Sequence, residues 1–190
     1  MQLRSYDNRD GYALTLNQTE RNELMNELKR IGGKEVLAVA AYSGARRDEV
    51  AHVKHKDIRR SDAGFYKLRI YEDGAKRSEY REAPIPRWLA ERIRAGEDDP
   101  DDLIREHTMR TYDNRLTTAA DRLSDGDEAW EHLSMHDLRI TAINSWLDDD
   151  APRLMCMQWS GHDDWRTFRD HYLSNYSEQK QSEAATVGQT

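Results

Sequence analysis

The stretch His136-Asp-Leu-Arg139-Ile-Thr-Ala-Ile-Asn-Ser-Trp146-Leu147, followed by Trp159-Ser-Gly161-His162 and then Arg169-Asp-His171-Tyr172-Leu173, decides how the rest of the chain is read. Ile140, Ile143, Trp146 and Leu147 recur at helical spacing and mark one buried face. His136 and Arg139 stand three apart, so they are neighbours at the edge of that face. A guanidinium beside an imidazole makes an anion clamp, because arginine presents a fixed fork of donors that matches a phosphate. The later segments add an imidazole after a glycine, and then a phenol. A phenol is a weak nucleophile until nearby positive charge stabilises its oxyanion. Singly, each piece has an ordinary use: a surface Arg–His pair, or a packed tyrosine. Together they are candidates for chemistry at a phosphate.

Composition narrows the class. A chain of 190 residues suits one domain with a real core, and 37% hydrophobic content is sufficient for it. No apolar run reaches the length of a membrane span, so no membrane partner is expected. No secretory signal precedes the first polar residues, which points to the cytoplasm. The single cysteine, Cys156, excludes an internal disulfide framework and fits a reducing compartment. The net charge of −7 argues against indiscriminate nucleic-acid binding. Yet the basic residues are 22 Arg against 7 Lys, a bias towards the phosphate-recognising side chain. With the acidic runs Glu97–Asp102 and Asp148–Asp150, this reads as adaptation to a salty cytoplasm. Melting temperature is accordingly expected to be higher in molar potassium chloride than in dilute buffer; equal values in the two would count against salt adaptation.

In chain order, residues 1–13 are polar, broken by Gly11 and without periodicity, and read as a lead-in. Leu16 to Ile31 predicts an amphipathic helix with Asn17 and Glu20 as a cap pair and Gly32-Gly33 as its end. Glu35 to Tyr42 is a short buried helix, broken by Ser43-Gly44, and Arg46 opens another through Val53. Phe65 to Tyr71 and Glu79 to Ile85 form a hairpin around Asp73-Gly74, with Ile58 to Arg60 as a third strand. Helical patterns follow at Trp88 to Ile93, Tyr112 to Leu123, Glu128 to His132, His136 to Leu147, Arg153 to Trp159 and Trp165 to Leu173. Trp130, Trp146, Trp159 and Trp165 read as core. His52 with His55, and His132 with His136, have spacings that could hold a metal on a helix. Neither pair comes with a cysteine cluster or a carboxylate of fixed spacing, so no metal site is expected. The fold class is therefore mainly α with a small antiparallel β-sheet (α+β). Residues 14–176 form the domain, and 177–190 form a polar tail.

Four segments now line up: Ser43-Gly-Ala-Arg46-Arg-Asp-Glu49 after a buried helix, Lys76 in a hairpin, His136-x-x-Arg139, and Gly161-His162 followed by Tyr172. This series resembles the catalytic domain of the tyrosine recombinases, the phage-integrase family, over roughly Leu16 to Leu173. The resemblance implies an integrase catalytic-domain fold and a site-specific recombinase that cuts and rejoins DNA strands through a covalent 3′-phosphotyrosine. It implies that Arg46 and Arg139 clamp the scissile phosphate, Tyr172 attacks it, and Lys76 protonates the leaving oxygen. His136 would help take the tyrosine proton, His162 would hydrogen-bond the phosphate, and Glu49 would brace the Arg46 region. Neither metal nor nucleotide cofactor is needed, because the phosphotyrosine keeps the bond energy for religation.

Departures from the family pattern carry further expectations. The family usually counts nine residues from the Gly-His histidine to the nucleophile, which here lands on His171; Tyr172 is ten along. One residue is about 100° of helix rotation, so a bulged turn between Asp163 and Thr167 is expected to absorb the difference. The helix bearing Tyr172 is expected to be free to swing from the pocket without DNA. Tyr176 is the weaker candidate nucleophile, and Arg77 rivals Lys76. Family members usually carry a DNA-clasping domain before the catalytic one, so the chain is a catalytic fragment or a small member. Double-stranded DNA is the expected partner, with a tetramer on DNA and a monomer without it. The source is expected to be a salt-adapted prokaryotic host, its virus or a mobile element. The alternative is a recombinase-fold protein that binds DNA without cutting it.

Overall fold

The computed structural model describes residues 1–5, 12–72, 80–96, 98–125 and 127–173. It begins with two short strands, β1 (Gln2–Ser5) and β2 (Tyr12–Thr15), paired antiparallel with Leu3 opposite Leu14. The segment read as a lead-in is thus partly a strand pair. Four-residue strands are too short to show alternation, and the bonds fixing β2 lie far away in sequence. The Leu14 amide donates to Asp137 Oδ1 at 2.8 Å, and the Leu16 amide donates to Thr141 Oγ1 at 3.1 Å.

Helix α1 (Gln18–Ile31) starts where Asn17 and Glu20 form a reciprocal cap. The Glu20 amide donates to Asn17 Oδ1 at 3.0 Å, and the Asn17 amide donates to Glu20 Oε2 at 2.8 Å. Helix α2 (Lys34–Ser43) buries every residue from Val36 to Ala41. Its alanines at 38, 40 and 41 are small enough to let a second helix lie close. After the single turn α3 (Arg47–Val50), shorter than the run to Val53 expected from sequence, comes a sheet. Its strands β3 (Ile58–Arg60), β4 (Tyr66–Tyr71) and β5 (Tyr80–Ile85) are antiparallel in that order. Leu68 sits opposite both Ile58 and Ala83 in the register.

The remaining elements are helical: α4 (Arg87–Ala95), α5 (Met109–Leu123), a 3-10 turn at Glu128–His132, α6 (Met135–Asp148), α7 (Arg153–Ser160) and α8 (Trp165–Phe168). Helix α6 packs along α2, and its start is fixed by Asp137, which accepts from the Ser134 amide at 2.9 Å as well as from Leu14. Trp130 and Trp146 are buried, and Trp159 packs partly buried against the core, edge-on to Trp146 with centroids 5.4 Å apart. Trp165, read as core, is instead 40% exposed.

The bulge expected between Asp163 and Thr167 is displaced. That segment is a regular helix start: Asp164 accepts from the Thr167 amide at 2.8 Å and the Arg166 amide at 3.2 Å. The irregularity comes one turn later, where Arg169–Leu173 winds as a π turn. A π turn takes up one more residue than an α turn. The extra residue between His162 and Tyr172 is therefore absorbed around the tyrosine itself.

Candidate active site

Two helix ends build the floor of the site. Helix α2 ends at Gly44 and α7 ends at Gly161, both left-handed, with φ of 64° and 68°. Neither position has room for a side chain. A Cβ at Gly44 would meet the Trp146 ring at 3.1 Å, and one at Gly161 would meet Arg81 Cδ and Nε at 2.9 Å. These reversals present the last carbonyls of both helices to Arg139. Its Nη1 donates to the Gly44 carbonyl and its Nη2 to the Ser160 carbonyl, the latter at 2.8 Å. Burial pulls the guanidinium down to about 10, with the Tyr172 phenol acting upward and Arg46 and Arg81 downward. Arg139 remains a cation throughout the neutral range.

Arg46 opens α3 as its first flanking residue, and its side chain is half exposed. Its Nη1 donates to Glu49 Oε1 at 3.0 Å, its amide donates to Glu49 Oε2 at 2.5 Å, and its Nη2 reaches the Gly161 carbonyl at 3.4 Å. Beneath lies Arg81, buried on β5. It grips Glu49 with both terminal nitrogens, at 2.7 and 2.8 Å, and donates from Nε to the Trp159 carbonyl at 2.9 Å. Burial alone would raise the Glu49 carboxyl, but the Arg81 hydrogen bonds and charge, with Arg46, outweigh it and hold it below its ordinary value. Three guanidinium groups against one carboxylate leave the site a surplus of two positive charges.

His162 follows Gly161 and packs between Phe168 and Tyr172, with ring centroids 5.4 Å from each. Burial pulls its imidazole down to about 4, and the charges of Arg139, Arg46, His171 and Arg81 act in the same direction. The folded chain therefore binds this proton less readily than the unfolded one, whose ordinary value is 6.5. That contribution to stability is complete above the unfolded value and is lost as pH falls through the window towards 4. The melting temperature of wild type should accordingly fall more steeply between about pH 6.5 and 4 than that of His162→Gln. Equal slopes in parallel melts would contradict this.

Arg46, Glu49, Arg139, His162 and Tyr172 thus converge from α3, α6, the turn after α7 and the π turn. Tyr172 is packed against His162 and Phe168, rather than swung from the pocket as expected without DNA. His136 lies exposed on the first turn of α6, one turn before Arg139. Lys76, Arg77 and Tyr176 lie outside the described residues. The strands flanking residues 73–79 do reach the site, because Glu72, Tyr80 and Arg81 line one groove with Gly161 and His162. Arg47 is held by Asp113, with Nη2 to Oδ2 at 2.7 Å. Sequence reasoning missed Arg81. A signal was present: it occupies an inward position of β5 in alternation with Ala83 and Ile85, where an unpaired charge could not stand.

The fold is that of the catalytic domains of tyrosine recombinases and integrases. The structure superposes on XerA recombinase with a TM-score of 0.71, 15% identity, and coverage of 93% of this chain and 65% of that one. XerH site-specific recombinase bound to difH substrate gives 0.66, 17%, 93% and 54%. The catalytic domain of bacteriophage HP1 integrase gives 0.63, 15%, 90% and 94%. The chain thus spans a little over half of the XerH chain, but nearly all of the isolated HP1 domain. No family model and no curated protein sequence matches it.

Proposed function

We propose that this chain cuts and rejoins double-stranded DNA through a covalent 3′-phosphotyrosine at Tyr172. The observation that carries this reading is the convergence of Arg46, Arg139, His162 and Tyr172 from four separate elements onto one cationic pocket. Solved relatives of the fold include XerH bound to difH substrate and the Tn1549 transposon integrase in complex with transposon right-end DNA.

In this mechanism Arg46 and Arg139 hold the two non-bridging oxygens of the scissile phosphate and counter the charge that builds on them. The Tyr172 oxygen forms a bond to phosphorus as the bond to the 5′ oxygen breaks. His136 takes the phenol proton, Lys76 supplies one to the leaving 5′ oxygen, and His162 hydrogen-bonds the phosphate. Attack by a 5′ hydroxyl then reverses each step and rejoins a strand. Glu49, itself neutralised by Arg81, orients Arg46 without cancelling its charge. The catalytic unit is residues 14–176, working as a tetramer on DNA and as a monomer without it.

The test uses a pool of nicked duplexes of randomised sequence, in which loss of the short fragment traps the adduct. Protein-linked DNA recovered after denaturation supports strand cleavage, and its sequence reports the site. DNA retained only under native conditions would leave a binding protein without cleavage.

A further inference from the structure

Ser160 is the last residue of α7, fully buried, and it touches two of the three side chains assigned to the phosphate, Arg139 and His162. Its carbonyl accepts from Arg139, and its hydroxyl lies 2.7 Å from His162 Nδ1. That hydroxyl has a second acceptor within reach, the Met157 carbonyl at 3.0 Å. A hydroxyl carries one proton, so it serves one of them. The Met157 carbonyl already accepts the His162 amide at 3.1 Å, and it shares with the Gln158 carbonyl the amide of Gly161, which donates to Gln158 at 3.2 Å. The Met157 carbonyl is therefore engaged without the hydroxyl. The shorter distance lies in the range usual for an O–H donor and is short for a ring N–H donor.

The geometry points to Ser160 as the residue that sets the tautomer of His162: its hydroxyl donates to Nδ1, so the ring proton sits on Nε2. The assignment has a chemical consequence. A neutral imidazole has one N–H, and which nitrogen carries it is decided by the bond the other makes. With burial holding the ring near 4, the donor available at neutral pH is this one proton. Placed on Nε2 it can be given to a phosphate oxygen; placed on Nδ1 it would be spent inside the protein, leaving a lone pair towards an anion. Ser160 is thus a positioning residue that acts through His162, and its role in phosphate binding rests on the proposed reading of the site.

The test reads the tautomer directly. Long-range proton–nitrogen correlation on the nitrogen-15-labelled histidine ring, at neutral pH, is expected to show His162 protonated at Nε2 in wild type and in Ser160→Thr. In Ser160→Ala it should become a mixture of the two tautomers. On titration with inorganic phosphate the Nε2–H resonance should shift, and Ser160→Ala should bind phosphate about 3- to 10-fold more weakly, the worth of one hydrogen bond. Ser160→Thr should bind as wild type does. Protonation at Nδ1 in wild type overturns the proposal, as does an unchanged tautomer or unchanged phosphate affinity in Ser160→Ala. A purely packing role would lower the melting temperature of Ser160→Ala without moving the tautomer. None of these measurements needs a DNA target. A protein that shows them but traps no adduct would overturn the cleavage reading and leave the tautomer assignment standing.

Discussion

Tyr172→Phe is expected to abolish the covalent protein–DNA adduct, a loss of at least about 10³-fold, while DNA affinity stays within about twofold of wild type. In the proposed mechanism the phenol oxygen is the atom that joins phosphorus, and no neighbouring group can replace it in a stable phosphodiester. His171 stands where a simple count from His162 would put the nucleophile, but an imidazole gives a labile phosphoramidate. Binding should survive because the ring keeps its contacts with Phe168 and His162, whose centroids lie 5.2 and 5.4 Å away. Tyr176→Phe, in the same denaturing gel, should retain the adduct. Loss of the adduct in the Tyr176 variant alone would move the nucleophile there, and its survival in both single variants would overturn the assignment to Tyr172 while leaving cleavage itself standing.

The second large effect is on stability. Arg81→Met should destabilise the fold by about 3–5 kcal/mol, because it leaves the buried Glu49 carboxylate without its principal partner. Both side chains are under a tenth exposed, so solvent cannot take Arg81's place. Adduct formation should fall with it even where the variant is folded, since Glu49 then pulls on Arg46 alone. The double change Arg81→Met with Glu49→Leu removes both charges, and it should recover most of the stability in chemical denaturation. It should not recover cleavage, because Arg46 loses its carboxylate brace. A double variant as active as wild type would mean that the network serves only the core.

Much of this architecture is legible from local pattern. The Asn17–Glu20 cap, the all-apolar α2 and the Leu68/Ile70 alternation each announce an element through contacts within a few residues. What stayed hidden depends on partners far away. Strand β2 is fixed by Asp137 and Thr141, and no local rule links those positions. Arg81 looks like one more surface arginine until the strand register turns it inward. The extra residue was foreseen as an arithmetic need, but as a bulge between Asp163 and Thr167, not as a π turn at Arg169–Leu173. Counting residues gives the total rotation to be absorbed, whereas its position follows from where the Asp164 cap and buried Phe168 hold the helix regular. Of the pocket itself, Arg46, Arg139, His162 and Tyr172, which the structure brings together, had been singled out by motif; Arg81 beneath them had not, although its inward place on β5 was a signal.

The two left-handed glycine ends also decide how the pocket responds to ionic strength. Peptide dipoles in α2 and α7 run parallel to their axes, and both helices direct their partly negative ends at the one guanidinium of Arg139. This counter-charge belongs to the backbone. It cannot diffuse away, exchange with potassium, or be lost to a side-chain rotation, whereas mobile ions weaken exposed pairs within a few ångströms at molar ionic strength. Arginine at the centre of the pocket is therefore electrically supported by covalent scaffold, and its aim is indifferent to the salt concentration outside.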